Sequence, residues 1–248
     1  AGAVSIVYGT PLGLTTTGNQ FWHQDVTGTD NAAEAGDHFG HAVAAGDFDG
    51  DRYVDLAVGV ESEDNGAILD AGAVHVFYGG AGGLAIAGNW FFSQNTPGML
   101  DETEWPDHFG WALAVGGFNG DTYADLAIGV HRETIDSVTE CGAVSIVYGT
   151  PAGLAVDGNQ LWHENNLGIG NGCDPNDFFG TALAAMPPVG LFLDDFSTGD
   201  TSRWSAVSFS RQRVSMTGLR SIPYASIPWS RALVKRRPVP TPSSSTGP

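Results

Sequence analysis

Short apolar runs separated by glycine-rich turns make up most of the chain, and no stretch shows long helical periodicity. One run follows Phe39-Gly40 and extends to Ala45, and an alternating apolar run covers 55–60. A third run, 72–78, is rich in β-forming residues, and a fourth covers 89–94. Four glycines lie between the last two runs, where a turn is expected. The pattern predicts four short strands and an all-β fold.

The same pattern recurs every 70 residues. Gly-Ala-Val occurs at 2–4, 72–74 and 142–144, and Asp-x-Phe-Gly occurs at 37–40, 107–110 and 177–180. The nine residues 2–10 are identical to 142–150. A fixed period identifies a repeat architecture, and four strands per repeat is typical of a propeller blade. The rungs of a β-helix would be much shorter.

An acidic segment stands before the second strand of the first full repeat. Its carboxylates are at relative positions 1, 3, 5 and 9: Asp47, Asp49, Asp51 and Asp55. Carboxylates this close repel one another, and Ca²⁺, which accepts six to eight oxygen ligands, would hold them together. Position 12 is Val58 rather than the Glu of an EF-hand, and a strand follows instead of a helix. The spacing predicts a Ca²⁺-clamped β-hairpin in which Tyr53 adds its backbone carbonyl.

An Asp-rich turn whose side chains accept its own backbone N–H groups is the alternative interpretation of this segment. Arg52 stands where glycine is favoured, because the backbone turns sharply there and a positive φ is needed. The second repeat aligns Gly117, Asn119, Asp121, Tyr123 and Asp125 with the same positions. With fewer carboxylates, this second loop is predicted to bind Ca²⁺ more weakly. The third repeat has Pro188 and apolar residues there, so no third site is expected.

These motifs together resemble the FG-GAP repeat of integrin α-subunit propellers. Phe39-Gly40, the Asp-rich loop and the run 55–60 follow one another in the family's order. The third and fourth strands are similar to those of bacterial extracellular members. Gly59-Val60 and Gly129-Val130 stand where the family has Gly-Ala-Pro, which is a departure at a strand end. The resemblance covers about residues 1–185.

The resemblance implies a β-propeller, usually of seven blades, with Ca²⁺ loops on one face and ligand-contacting loops mainly on the other. Residues 1–185 hold about two and a half blades, so we expect further blades from the same longer chain or self-association. Residues 186–205 are predicted to be a junction that looks like the start of another extracellular module. Residues 206–248, basic and rich in Pro and Ser, are predicted to be a disordered tail.

Charge is divided unequally along the chain, whose formal net charge is −18. Residues 1–200 contain all 28 acidic residues and, as basic residues, only Arg52 and Arg132. This acidity argues against nucleic acid and anionic membranes as partners, and it favours divalent cations. No run approaches the ~20 apolar residues of a membrane span, and no signal peptide is visible. Cys141 and Cys173 are either bridged or two free structural thiols.

No motif for catalysis is recognised. The chain lacks a Gly-x-Ser-x-Gly elbow, a Walker loop and a His-Glu-x-x-His motif, and a carboxylate pair for glycoside hydrolysis stays open because such pairs meet only in space. His38 and His108 occupy equivalent repeat positions, as do His23 and His163, which favours blade packing or hydrogen bonding over catalysis.

The sequence therefore favours a non-enzymatic, Ca²⁺-binding extracellular propeller segment for cell adhesion or ligand recognition. Protein or carbohydrate ligands would contact the variable loops 61–71, 96–107 and 132–140. One alternative is an accessory propeller module of a larger secreted enzyme that acts on polysaccharide or lipid. The other is a purely structural repeat array.

Overall fold

The fold consists of β-strands and turns throughout the part of the chain that the structure describes. This computed structural model describes residues 1–29, 31–166, 169 and 172–185, together with the backbone of 191–193 and 205–207. These residues contain no helix, and hence no helix long and apolar enough to cross a membrane. All of them lie in one compact unit, 1–211. The prediction of an all-β fold is confirmed.

Each 70-residue repeat forms one antiparallel four-stranded sheet. The strands are β1 (Val4–Thr10), β2 (Gly13–Trp22), β3 (Val43–Gly46), β4 (Asp55–Val60), β5 (Ala73–Phe77), β6 (Trp90–Phe92), β7 (Ala112–Gly116), β8 (Asp125–Val130), β9 (Ala143–Thr150), β10 (Gly153–Trp162), β11 (Leu183–Ala185), β12 (Leu191–Leu193) and β13 (Ser205–Val207). The first full sheet has the order β3-β4-β5-β6, and the second has the order β7-β8-β9-β10. A hairpin, β1-β2, precedes them, and a three-stranded sheet, β11-β12-β13, follows.

The four predicted strands of the repeat are present, with one shifted boundary. Strand β4 matches the predicted run 55–60, and β5 and β6 lie within the predicted runs 72–78 and 89–94. The first strand begins only at Val43, because the residues before it form a turn: the His41 N–H donates to the His38 carbonyl and Gly40 has φ = 89°. The Phe-Gly of this turn makes the contact with the neighbouring sheet.

Phe-Gly of each repeat docks on the backbone of the preceding sheet. The Phe109 N–H donates to the Ala71 carbonyl (2.9 Å), and Gly72 and Phe109 form a parallel bridge. A Cβ on Gly72 would lie 2.3 Å from the Phe109 carbonyl oxygen. We call this contact between neighbouring sheets a seam. The next seam has the same contact, between Gly142 and Phe179. The recurrent Gly-Ala-Val and Phe-Gly motifs are thus the two halves of one contact.

A second pair of glycines closes the same seams. Gly59, near the end of β4, lies so close to the next sheet that its Cβ would be 2.1 Å from the Gly110 carbonyl oxygen. Gly129 in β8 stands in the same relation to Gly180, at 2.2 Å. The glycine retained from the family's Gly-Ala-Pro is therefore the residue that the seam requires.

The central strands carry the core. Every residue of β4 and of β8 is buried, and successive first strands β3, β7 and β11 contact one another. Phe48 and Phe109 belong to one large cluster that spans the two full sheets. Burial on both faces explains why these strands have apolar residues at nearly every position.

Cys141 and Cys173 form a disulfide, with their Cα atoms 5.4 Å apart. Cys141 is fully buried two residues before the start of β9, and its carbonyl accepts the Phe179 N–H at the seam. Of the two alternatives left by the sequence, the structure has the bridge.

The predicted tail, 206–248, and most of the predicted junction, 186–205, lie outside the described residues. Within the junction, β12 pairs with β11 in an antiparallel register, as β4 pairs with β3. Whether another module begins here stays a prediction.

Replacing Gly59 with Ala tests the seam. Because the added methyl would meet backbone rather than a flexible side chain, the two sheets must move apart, and we expect a loss of about 2–3 kcal/mol in the free energy of unfolding. Urea unfolding measures the loss. The control is Gly82→Ala, since a Cβ there meets nothing within 4 Å. Equal stability of the two variants would contradict the seam's role.

Candidate metal centres

The loop between β3 and β4 is a tight turn built from aspartate side chains. Asp47 accepts N–H groups from Gly50 (Oδ1, 2.7 Å) and Arg52 (Oδ2, 3.0 Å). Asp49 accepts the Asp51 N–H (3.0 Å), and Asp51 accepts the Tyr53 N–H (2.7 Å). Side chains that bond their own loop pre-organise it, whether or not an ion is bound.

Asp55 anchors the base of this loop. It is fully buried, and its carboxylate accepts the Phe48 N–H (2.7 Å) and the Gly79 N–H (2.8 Å). Burial raises the pKa of Asp55, and the carboxylates of Asp49 and Asp47 raise it further, against the lowering effect of the two N–H donors. Asp55 therefore joins three segments of the first sheet and faces two other acids.

Three of the four predicted carboxylates converge. Asp47, Asp49 and Asp55 each offer an oxygen, and these oxygens lie within 4.8 Å of one another. Asp51 is outside this group and is exposed. Burial raises the pKa of Asp49, and so do the charges of Asp51 and Asp47. An all-carboxylate donor set under mutual repulsion fits a hard divalent cation such as Ca²⁺.

The backbone of the loop agrees with the sequence. Arg52 has φ = 77°, in the left-handed region that the sequence predicts for its position, and Gly50 has φ = 78°. The Tyr53 side chain is exposed, and the Tyr53 N–H donates to the Asp51 carboxylate. Coordination by the Tyr53 carbonyl stays a prediction.

The second loop has the same frame and a different donor set. Asp125 is fully buried and accepts the Phe118 and Gly149 N–H groups, as Asp55 does in the first loop. Burial raises the pKa of Asp125 to about 6. The Asn119 amide nitrogen, however, donates to the Asp121 carboxylate (2.7 Å), and Tyr123 contributes its N–H to the same Asp121. With Asp121 and Asp125 as its two carboxylates, this loop lacks the three-carboxylate group of the first loop.

A second acidic cluster, unrecognised in the sequence, lies beyond the other end of β8. It joins Glu104, Asp107 and Glu133, whose nearest oxygens lie within 4.8 Å of one another. Burial, together with the charges of Asp107 and Asp101, raises the pKa of Glu133 to about 9. The repeat could have drawn attention to these three acids, because Glu34, Asp37 and Glu63 occupy the same positions 70 residues earlier.

The histidines of the Asp-x-Phe-Gly motif bond to one buried glutamate. Glu61 directly follows β4, and its carboxylate contacts the Nδ1 atoms of His38 (2.7 Å) and His108 (2.5 Å). Burial alone would raise the pKa of Glu61, but the hydrogen bonds from His108, Ser62 and His38 lower it to about 2. These histidines therefore connect neighbouring sheets, in line with the packing role predicted for them.

Replacing Asp55 with Ala separates the structural role of this residue from metal binding. In EDTA the variant leaves the Phe48 and Gly79 N–H groups without acceptors, so we expect a loss of about 2–4 kcal/mol in the free energy of unfolding. Asp51→Ala is the control, since Asp51 is exposed and accepts one N–H, and it should cost under about 1 kcal/mol. Urea unfolding checks both. A larger loss for Asp51→Ala would refute this assignment.

Glu63 predicts a pH-dependent stability. Burial and the charge of Asp37 raise its pKa from 4.5 to about 7. Between these values only the folded chain keeps the proton, so stability should fall as pH rises from 4.5 to 7, by at most about 3 kcal/mol. Glu63→Gln cannot ionise, and the difference in urea stability between wild type and Glu63→Gln should show this slope. A difference that is constant from pH 4.5 to 8 would contradict the prediction.

Comparisons with known proteins identify the repeats that contain these two loops. The FG-GAP repeat family matches residues 39–77 and 109–147, each of which contains one loop and the three strands around it. Phosphatidylinositol-glycan-specific phospholipase D of Bos taurus is 31% identical over 114 residues, which is 46% of this chain and 14% of that protein. Integrin alpha-3 of Cricetulus griseus is 30% identical over 137 residues, 55% of this chain and 12% of that protein.

A third relative gives the same picture. Integrin alpha-PS2 of Drosophila melanogaster is 29% identical over 139 residues, 54% of this chain and 9% of that protein. The chain thus spans only a small fraction of the length of these relatives. The chain thus contains two FG-GAP repeats, each set in a four-stranded sheet, and is similar to integrin α-subunits in this region.

Proposed function

We propose that this chain is a non-enzymatic, calcium-binding segment of an extracellular β-propeller that serves cell adhesion or ligand recognition. The observation that carries the proposal is the convergence of Asp47, Asp49 and Asp55 in a hairpin of a matched FG-GAP repeat. Calcium bound there would neutralise the repulsion among the carboxylates and rigidify the hairpin. It would take no part in chemistry.

The first hairpin is the stronger of the two proposed sites. Asp47, Asp49 and Asp55 would bind the ion directly, and Asp51 and the Tyr53 carbonyl would complete the set after a small movement of the exposed loop. The second hairpin would use Asn119, Asp121, Tyr123 and Asp125. Its Asn119–Asp121 hydrogen bond must break first, which supports weaker binding.

We assign recognition to the opposite end of the blades. The hairpin enters β4 at Asp55, whereas the loop 61–71 leaves β4 at its other end, so the two lie a strand length apart. This end exposes large apolar side chains, with Leu69 at 54% and Trp105 at 69% exposure. Such side chains on a rigid scaffold suit contacts with a protein or a carbohydrate. Further blades of a longer chain, or another copy, would complete the surface.

An extracellular location is consistent with the disulfide and the acidity. Disulfides persist in oxidising compartments, and the Cys141–Cys173 bridge ties a loop to a seam between sheets. Millimolar calcium, which weak modules of this kind need, is also an extracellular condition.

A second candidate function is an accessory module of a larger secreted enzyme. The similarity to phosphatidylinositol-glycan-specific phospholipase D favours it, because that relative is named as an enzyme while the similarity lies in the repeats. A catalytic domain elsewhere in the complete gene would support this role. A purely structural repeat array is the remaining alternative, and in that case calcium would not change the stability of the fold.

Thermal unfolding of the full chain in EDTA and in ~10 mM Ca²⁺ tests the calcium site. With a dissociation constant of ~0.1–1 mM, mass action predicts a stabilisation of about 1.4–2.7 kcal/mol per site. Asp49→Asn should remove most of this shift, because it takes a charge from the convergent group and keeps an oxygen for the Asp51 N–H.

The control is Asp157→Asn, which removes an exposed charge in β10, outside both hairpins. Its calcium shift should equal that of the wild type. If calcium does not raise the unfolding temperature, or if it raises that of Asp49→Asn and Asp157→Asn equally, the calcium role is contradicted. The purely structural repeat array would then be the remaining interpretation.

A further inference from the structure

The loop between β7 and β8 contains an asparagine that is followed directly by a glycine. Asn119 and Gly120 are both exposed, and Gly120 has φ = 82°. A Cβ on Gly120 would meet nothing within 4 Å. Among the residues that the structure describes, the Gly120 N–H finds no hydrogen-bond acceptor. The backbone nitrogen of Gly120 is therefore held by neither a bond nor a neighbouring side chain.

The equivalent glycine of the first loop is held in both ways. Gly50 donates its N–H to Asp47 Oδ1 (2.7 Å), and a Cβ on Gly50 would lie 2.6 Å from the Tyr123 ring. In the second loop Gly117 stands in the place of Asp47, so no carboxylate is there to accept the Gly120 N–H. The loss of one carboxylate thus leaves this backbone nitrogen unbound.

The Asn119 side chain is polarised by Asp121. Asn119 Oδ1 accepts the Asp121 N–H (2.9 Å), and Asn119 Nδ2 donates to Asp121 Oδ2 (2.7 Å). An N–H on Oδ1 stabilises the negative charge that develops on this oxygen when a nucleophile adds to the amide carbon. The Nδ2 bond is exposed, so water can replace the Asp121 carboxylate as its acceptor. The amide carbon is therefore activated beside an unbound backbone nitrogen.

We propose that Asn119 is a site of spontaneous deamidation, which converts its side-chain amide into a carboxylate. The Gly120 nitrogen loses its proton to solvent and bonds to Asn119 Cγ, the Cγ–Nδ2 bond breaks, and Nδ2 takes a proton from solvent and leaves as ammonia. Water then opens the succinimide ring. Hydrolysis of the bond between Cγ and the Gly120 nitrogen gives aspartate, and hydrolysis of the bond between the Asn119 backbone carbon and that nitrogen gives isoaspartate. Water is consumed, ammonia is released, and nothing is oxidised or reduced.

The two products change the second hairpin in opposite directions, a consequence that rests on the calcium role proposed above. Aspartate would add a carboxylate to those of Asp121 and Asp125, which restores the number of acids that converge in the first loop. Isoaspartate lengthens the backbone of the loop by a methylene group. The longer backbone would displace Asp121 from the Tyr123 N–H that it accepts (2.8 Å).

Peptide mapping by mass spectrometry tests the proposal on the full chain with Asp49→Asn, incubated in EDTA at mildly alkaline pH. This substitution places an asparagine before Gly50, so each loop then has the same dipeptide. We expect Asn119 to convert about tenfold faster than the asparagine introduced at 49, because the hydrogen bond from Gly50 to the Asp47 carboxylate must break before attack. Urea unfolding verifies that the variant is folded. Equal rates at the two positions, or no conversion of Asn119, would overturn the proposal.

Incubation of the wild type with ~10 mM Ca²⁺ separates this proposal from the calcium role of the second hairpin. With a dissociation constant of ~1 mM, bound Ca²⁺ should slow the conversion of Asn119 about tenfold, because only the unoccupied loop can react. Fast conversion both in EDTA and in Ca²⁺ would support the modification and contradict Ca²⁺ binding by this hairpin. Asn119→Asp, which has the aspartate product from the start, should show a larger calcium-dependent rise in unfolding temperature than the wild type. An equal rise would contradict the effect on calcium binding.

Discussion

The close approach of backbones at the seams is the constraint on which the rest of this structure depends. At each seam a glycine before the third strand and a glycine late in the second strand face the Phe-Gly of the next sheet, with no room for a Cβ. Because the contact is made by backbone atoms, it dictates glycine at both positions and leaves the neighbouring side chains free to vary. Phe109 and Phe179 fill the core beneath, so the seam also aligns the aromatic layers.

The variable side chains at the seams have different chemistry in the two repeats. At the first seam, the Glu61 carboxylate bonds to His38 and His108. The equivalent of Glu61 in the second repeat is His131, whose ring centroid lies 5.9 Å from that of Phe178, the counterpart of His108. A hydrogen-bonded contact has thus become an aromatic one while the glycine backbone contacts stay the same. Repeat architectures tolerate such exchange because each repeat contacts only its neighbours.

Acidic residues mark both ends of the buried second strands. Asp55 and Asp125 open β4 and β8 and are neutralised in part by backbone N–H donors. Glu63 and Glu133 stand beyond the other ends, where each carboxyl group accepts a hydrogen bond from a glutamine amide. Acidic residues therefore lie at two levels of each blade, and burial favours the protonated form of Glu63 and Glu133.

The sequence by itself determined the repeat, the four strands and the first acidic loop, because strand periodicity, glycine turns and carboxylate spacing are local properties. It could not show that Asp51 lies apart from Asp47, Asp49 and Asp55, since the Asx bonds of the loop decide where each carboxylate points. The sequence also could not show that Cys141 and Cys173 are bridged, or that Glu104 and Glu133 lie close together. These contacts link segments about 30 residues apart, and only the packing of strands between them decides such distances.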